Sequence, residues 1–318
     1  MASISLNSIV HTLEQGETVL ECLLRNEVDL RYGCRAGLCQ SCVLRAVDGE
    51  VPAAAQNGLN DSQKQLGYFL ACQCRPEQDI GVSFIDQVSA VHSAEVVEKY
   101  WLNEFVLCLR LQVGIDFRAG QFVTLWRPGN IGRSYSIASL PGDGIIECHI
   151  KVLENGAFST WVRDALHVKD KLELQGPMGE CFYQANLDQS LLLLAIGTGL
   201  SPILGVLKDA LAAAHDGSID LVVGSKNIQN FYFVAQLQTL SEEHKNLNIH
   251  FICLTQSSEA VHQDDIYQFT KSRFPDLSGY KVFVCGAVSF VQKMKKQCFM
   301  SRAYMIDIHS DAFGAADQ

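Results

Sequence analysis

The spacing of apolar and polar residues changes character three times along the chain. In the first stretch, Ser3-Ile4-Ser5-Leu6 and Glu17-Thr18-Val19-Leu20 flank a turn at Gln15-Gly16, and the pattern from Thr18 through Leu23-Leu24 suits a helix start. Val43-Leu44-Arg45-Ala46-Val47 alternates like a half-buried strand running into the Asp48-Gly49 turn, and Asp61 is placed to cap a short helix. The middle stretch reads as short strands separated by turn residues: Glu104 to Leu111, Gly120 to Trp126 and Gly144 to Val152, which predicts an antiparallel barrel. The last stretch alternates continuous apolar runs with helical spacing. Leu191 to Ile196 is the run of a central parallel strand, Gly197-Thr198-Gly199-Leu200-Ser201-Pro202 follows it, and Ile203 to Ala214 has helical periodicity. Ser201 as cap and Pro202 at the first helical position signal that helix start. Further strands at Ile219 to Gly224, Ile249 to Leu254 and Lys281 to Cys285 alternate with helical segments, an α/β arrangement. Lys293, Lys295 and Lys296 fall on the solvated face of a late helix.

A chain of 318 residues has room for two or three domains of ordinary size. The excess of 35 acidic over 25 basic side chains gives a net charge of −10, whose field repels a phosphate backbone, so nucleic acid is not an expected partner. The N-terminus has neither a basic start nor an apolar segment, and the longest apolar run is far below the ~18 residues that span a bilayer. A soluble cytoplasmic protein with no membrane insertion is expected, and in that compartment the twelve cysteines read as reduced thiols, some of them metal ligands.

Cys34, Cys39 and Cys42 stand at C-x4-C-x2-C in a loop with Gly33, Ala36 and Gly37, and Cys72 or Cys74 follows after a long interval. This is the plant-type [2Fe–2S] spacing, in which small residues let the backbone wrap the cluster and aim N–H groups at sulfur. A structural zinc site is the competing reading, but it usually pairs two C-x2-C knuckles, whereas Cys72 and Cys74 are one residue apart. Over roughly residues 1–86 the chain resembles plant-type ferredoxins with their β-grasp fold. The resemblance implies Cys72 as fourth ligand, four residues before Pro76, with Cys74 a bystander and Gln40 in place of the usual glycine after the second ligand. Cys22 reads as core.

In the middle stretch, Arg133-Ser134-Tyr135-Ser136 is similar to the R-x-Y-S signature of the ferredoxin–NADP⁺ reductase superfamily. The Gly120-Gln121-Phe122 before it, and Gly156-Ala157-Phe158-Ser159-Thr160 and Gly176-Pro177-Met178-Gly179 after it, occur in that superfamily's order. The resemblance implies an FAD site. Arg133 would meet the pyrophosphate with its fork of donors, Tyr135 stack on the isoalloxazine, and Ser136 hydrogen-bond the flavin N5. Ser134, His149, Ile150 and Lys151 are implied as further cofactor contacts, and Gly156, Ser159 and Thr160 as a second phosphate element at a helix start. Pro202 occupies the third glycine position of G-x-G-x-x-G, leaving the G-T-G-x-x-P of this superfamily at Gly197, Thr198, Gly199 and Pro202. Ser225 and Lys226 are implied at the adenosine end, and Cys285-Gly286 beside the nicotinamide.

The expected organisation is therefore multidomain: an α+β β-grasp ferredoxin over 1–88, an antiparallel β-barrel flavin domain over 89–187 and an α/β parallel-sheet nucleotide-binding domain over 188–318. Nearly the whole chain resembles reductase components of bacterial multicomponent oxygenases, such as benzoate dioxygenase reductase and phenol hydroxylase reductase. That implies an NAD(P)H-dependent oxidoreductase carrying FAD and a [2Fe–2S] cluster, which passes single electrons from NADH to a terminal oxygenase or another one-electron acceptor protein. NADPH is the alternative donor. Asn230-Phe231-Tyr232-Phe233 is similar to the D-L-Y-F stretch of NADH-using members, and no second arginine follows Lys226. The rival readings are the reductase partner of a deoxysugar dehydrase and a redox sensor without turnover.

Overall fold

The computed structural model describes residues 2–37, 39–59, 61–85 and 91–314. Three sheets follow one another along the chain. The first holds β1 (Ser3–Leu6), β2 (Ile9–Thr12), β3 (Val43–Asp48), β4 (Tyr68–Leu70) and β5 (Ile80–Ser83) in the order β2-β1-β5-β3-β4, with α1 (Val19–Arg25) packed on it and α2 (Asp61–Gln65) beside it. The sequence pattern missed β2 and placed the turn at Gln15-Gly16, whereas the hairpin closes earlier, at Asn7 and Ser8 with φ +50° and +68°. The helix start read at Thr18 is α1, which Thr18 caps in a reciprocal box with Glu21. The expected boundary at 88 lies outside the described residues.

The second sheet contains β6 (Val91–Trp101), β7 (Val106–Gln112), β8 (Phe122–Arg127), β9 (Ile131–Ser136), β10 (Ile145–Lys151) and β11 (Lys171–Met178), in the order β10-β7-β6-β11-β8-β9. An antiparallel bridge between Ile137 and Cys148 joins its two edges and closes the barrel around Leu109, Leu111, Val123, Leu125 and Ile150. The helix α3 (Ala157–Asp164) leads back into β11.

The third sheet is parallel, with β12 (Leu191–Ile196), β13 (Ile219–Ser225), β14 (Leu247–Cys253), β15 (Val261–Gln263), β16 (Lys281–Ala287) and β17 (Ile308–Phe313) in the order β15-β14-β13-β12-β16-β17. Helices α4 (Leu200–Ala212), α5 (Val234–Glu243), α6 (Ile266–Arg273) and α7 (Val288–Met300) supply the apolar faces that bury it on both sides, as the uninterrupted Leu191–Ala195 run requires. Ser201 is not the cap of α4, because the helix starts at Leu200. Its hydroxyl donates instead to the Ser136 carbonyl at 3.0 Å, tying α4 to the barrel. The late lysines are not a purely solvated face either. Lys293 lies 3.6 Å from the centre of the Tyr267 ring, and Lys295 donates to Ser310 Oγ.

Candidate functional site

The loop between α1 and β3 gathers sulfur. The Ala36 and Cys39 amides point at Cys34 Sγ at 3.4 and 3.3 Å, and the Cys34 amide points at Cys39 Sγ at 3.2 Å. The four thiols fall into two contacting pairs, Cys34 with Cys39 and Cys42 with Cys72. Two pairs of thiols with amides aimed at sulfur are the donor set that two irons require, so these residues fit a [2Fe–2S] cluster. Cys74 stands apart: it is fully buried in the ferredoxin core, and burial alone pushes its thiol up to about 12. Gln73 Nε2 bridges Cys72 Sγ and the Arg35 carbonyl. Gln40 has a φ of +54°, the left-handed backbone for which glycine is the natural choice, and it holds that conformation with its side-chain amide on the Gly58 carbonyl at 2.9 Å.

A cavity of about 1320 Å³ runs from this loop across the barrel to the carboxyl ends of β12, β13 and β14. Its size exceeds the ~300–1,000 Å³ of a typical single-ligand pocket, which suits two dinucleotides meeting end to end. On the barrel side it is lined by Arg133, Ser134, Tyr135, Ser136, His149, Lys151, Gly156 and Ser159, and on the nucleotide side by Gly197, Thr198, Ser225 and Lys226. Strand alternation explains Ile150, which points into the barrel core between His149 and Lys151. Thr160 opens onto a separate cleft with Arg127, Trp161 and Asp164. The Ser159 hydroxyl is already engaged, accepting from the Leu153 amide at 3.1 Å and donating to the Gly156 carbonyl at 3.3 Å.

Four of the residues singled out on the nucleotide side act through packing. Gly199 permits a close crossing, because a Cβ there would lie 2.1 Å from the Cys285 carbonyl oxygen. Pro202 is buried in the first turn of α4. A Cβ on Gly286 would press on Ile196, itself a cavity wall, at 2.5 Å. The Cys285 thiol does not line the cavity: it is fully buried with its sulfur 3.4 Å from Cys181 Sγ.

Sequence reasoning missed the side chain that accepts from the Ser136 hydroxyl. β17 runs parallel to β16 and places Asp311 opposite Cys285, where the carboxylate accepts from Ser136 Oγ at 3.1 Å. Burial pushes this carboxyl up to about 6, partly offset by the Ser136 hydroxyl and the Ala312 amide. Tyr32, Arg35 and Phe313 also line the cavity, and they come from the two distant ends of the chain. Among the described residues, Cys108, Glu147 and His149 form a buried trio of ligand-type side chains. Glu147 is committed to His149 at 3.2 Å, with Arg110 and Lys208 nearby at 3.6 and 3.8 Å, and Tyr232 hydroxyl meets His149 Nδ1. That network ties the barrel to the nucleotide domain.

Three family models match in sequence order. They are a 2Fe-2S iron-sulfur cluster binding domain at residues 6–77, an oxidoreductase FAD-binding domain at 93–183 and an oxidoreductase NAD-binding domain at 193–296. The ferredoxin–NAD(+) reductase component of an alkene monooxygenase system from Xanthobacter autotrophicus is 34% identical, over 70% of this chain and 72% of that one. The chain belongs to the ferredoxin–NAD(P) reductase component family. The phenol hydroxylase P5 protein of Acinetobacter pittii is 28% identical over 96% of this chain and 92% of its own length. The cytochrome P450 reductase GcoB of Amycolatopsis superimposes over the full length of both chains with a TM-score of 0.71 at 26% identity. As a member of this family the protein is an oxidoreductase whose cofactors are a [2Fe–2S] cluster, FAD and a nicotinamide dinucleotide. No helix among the described residues is long and apolar enough to cross a membrane.

Proposed function

We propose that this reductase takes a hydride from NADH onto FAD, and passes its two electrons one at a time through the [2Fe–2S] cluster to a terminal oxygenase component in the cytoplasm, the proton being released to solvent. One observation carries the reading: a single cavity is lined by the cluster loop (Tyr32, Arg35), by the R-x-Y-S strand and by the ends of the nucleotide-domain strands. When bound, a flavin accepts two electrons together and returns them singly, while a [2Fe–2S] cluster takes one at a time. The residues divide accordingly. Cys34, Cys39, Cys42 and Cys72 hold the cluster. Arg133 and the Gly156 turn hold the FAD phosphates, Tyr135 packs on the ring, and Ser136 presents its hydroxyl to N5. Gly197, Thr198 and the backbone of Cys285-Gly286 receive the nicotinamide.

Donor choice follows from the same geometry. Ser225 Oγ is spent on the Asn227 carbonyl at 2.9 Å, and Asp264 and Asp265 line the cavity beyond Lys226. A 2′-phosphate there would meet one cation and two carboxylates, which supports NADH. An oxygenase as acceptor is supported by the alkene monooxygenase and phenol hydroxylase systems of the two relatives. Anaerobic rapid mixing with NADH tests the route: flavin absorbance should bleach before cluster absorbance. Cluster reduction ahead of flavin overturns it, and higher catalytic efficiency with NADPH overturns the donor. Co-purification with an oxygenase component is expected, and with a deoxysugar dehydrase instead would replace the acceptor.

A further inference from the structure

The five residues that lead into the first cluster cysteine, Asp29 to Gly33, lie along the barrel hairpin that joins β8 to β9. The Asn130 side-chain amide donates to Asp29 Oδ1. Arg31 Nη2 bonds Glu173 Oε2 at 2.7 Å, and its guanidinium carbon lies 5.1 Å from the centre of the Trp126 ring. Trp126 and Glu173 face each other across β8 and β11, so Arg31 grips both ends of one rung of the barrel. Tyr32 forms a parallel bridge with Ile131, and the Gly132 amide donates to the Tyr32 carbonyl at 3.1 Å. Arg133 Nη1 donates to the Gly33 carbonyl at 2.9 Å. Leu30 alternates the other way, into the ferredoxin core. The approach is close because Gly132 has no side chain: a Cβ there would lie 2.7 Å from the Trp126 ring that carries Arg31.

The consequence concerns Cys34. Its neighbour on one side, Gly33, is bonded to the flavin-domain arginine, and its neighbour on the other, Arg35, lines the flavin cavity. Of the four ligands, Cys34 alone is flanked on both sides by residues in contact with the cavity or its arginine. We propose that residues 29–33 are a docking strand that presents Cys34 to the flavin, and that Arg31, gripping Glu173 and Trp126, is a positioning residue that sets the rate of flavin-to-cluster electron transfer. The proposal rests on the electron route given above. The transfer it governs moves one electron from reduced flavin to oxidised cluster, one ferric ion becoming ferrous, with no atom exchanged between the domains.

An exposed ion pair taken singly contributes little, so removing Arg31 alone is a weak test, whereas reversing its charge sets two carboxylates against each other on the same rung. The experiment uses the full-length protein with both cofactors, as Arg31→Glu, Glu173→Arg and the double exchange, mixed anaerobically with NADH. Flavin bleaching should keep its rate in all three. Cluster bleaching should slow about tenfold in each single variant, as expected if the docked fraction falls to about a tenth, and return in the double exchange. Hydrogen exchange of the Gly132 amide gives a readout independent of electron flow: protection should be lost in the single variants and restored by the exchange. An unchanged cluster rate in the single variants overturns the proposal. So does a slowed rate that the exchange fails to restore, or a slowed rate with the Gly132 amide still protected. A failure of the route itself is distinguishable, because it would appear in the unmodified protein as a cluster that does not follow the flavin.

Discussion

Asp311 is a side chain whose ionisation is positioned to act on the proposed hydride step, through its contact with Ser136. When ionised it accepts the hydrogen bond of the Ser136 hydroxyl, and when neutral it leaves that hydroxyl free to donate elsewhere. Its carboxyl is raised to about 6, so the freeing of Ser136 develops as pH falls through that value. Flavin reduction by NADH should therefore quicken from pH 7.5 to pH 5.5 with an inflection near 6, and Asp311→Asn should flatten the profile; stopped-flow rates at fixed ionic strength check this. The two neighbouring cysteines give a second test at this scale. Cys72→Ser should remove the visible absorbance of the cluster. Cys74→Ala should keep it and lower the unfolding free energy by about 1–2 kcal/mol, the cost of a small void in a packed core. Loss of the cluster in the Cys74 variant alone would reverse the ligand assignment.

Among the elements, α1 and the β12–α4 crossover show how local chemistry fixes a larger piece. Thr18 Oγ1 accepts from the Glu21 amide at 3.2 Å and the Thr18 amide donates to the Glu21 carboxylate at 2.8 Å, so the first turn of α1 is closed from both sides. Thr18→Ala should cost about 1 kcal/mol, read as earlier thermal bleaching of the cluster, because α1 packs directly on the ferredoxin core. The crossover has less tolerance. A methyl at Gly199 meets backbone at 2.1 Å, and no side-chain rotation relieves it. Gly199→Ala should separate β12 from β16 and weaken nicotinamide binding far more than FAD binding, which paired titrations of the purified variant would report.

Across the whole molecule, the three domains are linked in series, and the order predicts which activities survive when one link is cut. Cys39→Ser should keep most NADH-to-ferricyanide activity, which draws on the flavin, and lose most reduction of cytochrome c, which the cluster serves. Loss of flavin bleaching in that variant, with FAD still bound, would show that the series order is wrong. The same ordering explains what the sequence made readable. The C-x4-C-x2-C loop, R-x-Y-S and G-T-G-x-x-P are local strings of closely spaced residues, so each is visible without knowing the fold.

What the sequence made legible by itself was the three periodicities, the C-x4-C-x2-C loop and the R-x-Y-S string, because each depends on residues a few positions apart, whereas the choice of Cys72 over Cys74 came only through the family resemblance. The short β2 escaped it, since four residues at an exposed edge carry too little alternation to register. The tertiary structure decided the rest. Asp311 reaches Ser136 across 175 positions through parallel pairing of β17 with β16, and Arg31 reaches Glu173 across 142 through docking of one domain on another. The same packing turned the Cys285 thiol toward Cys181 and gave the Ser201 hydroxyl to β9. Such contacts leave no periodic trace in the chain, because they are chosen by which surfaces bury each other and only then by the side chains that meet there.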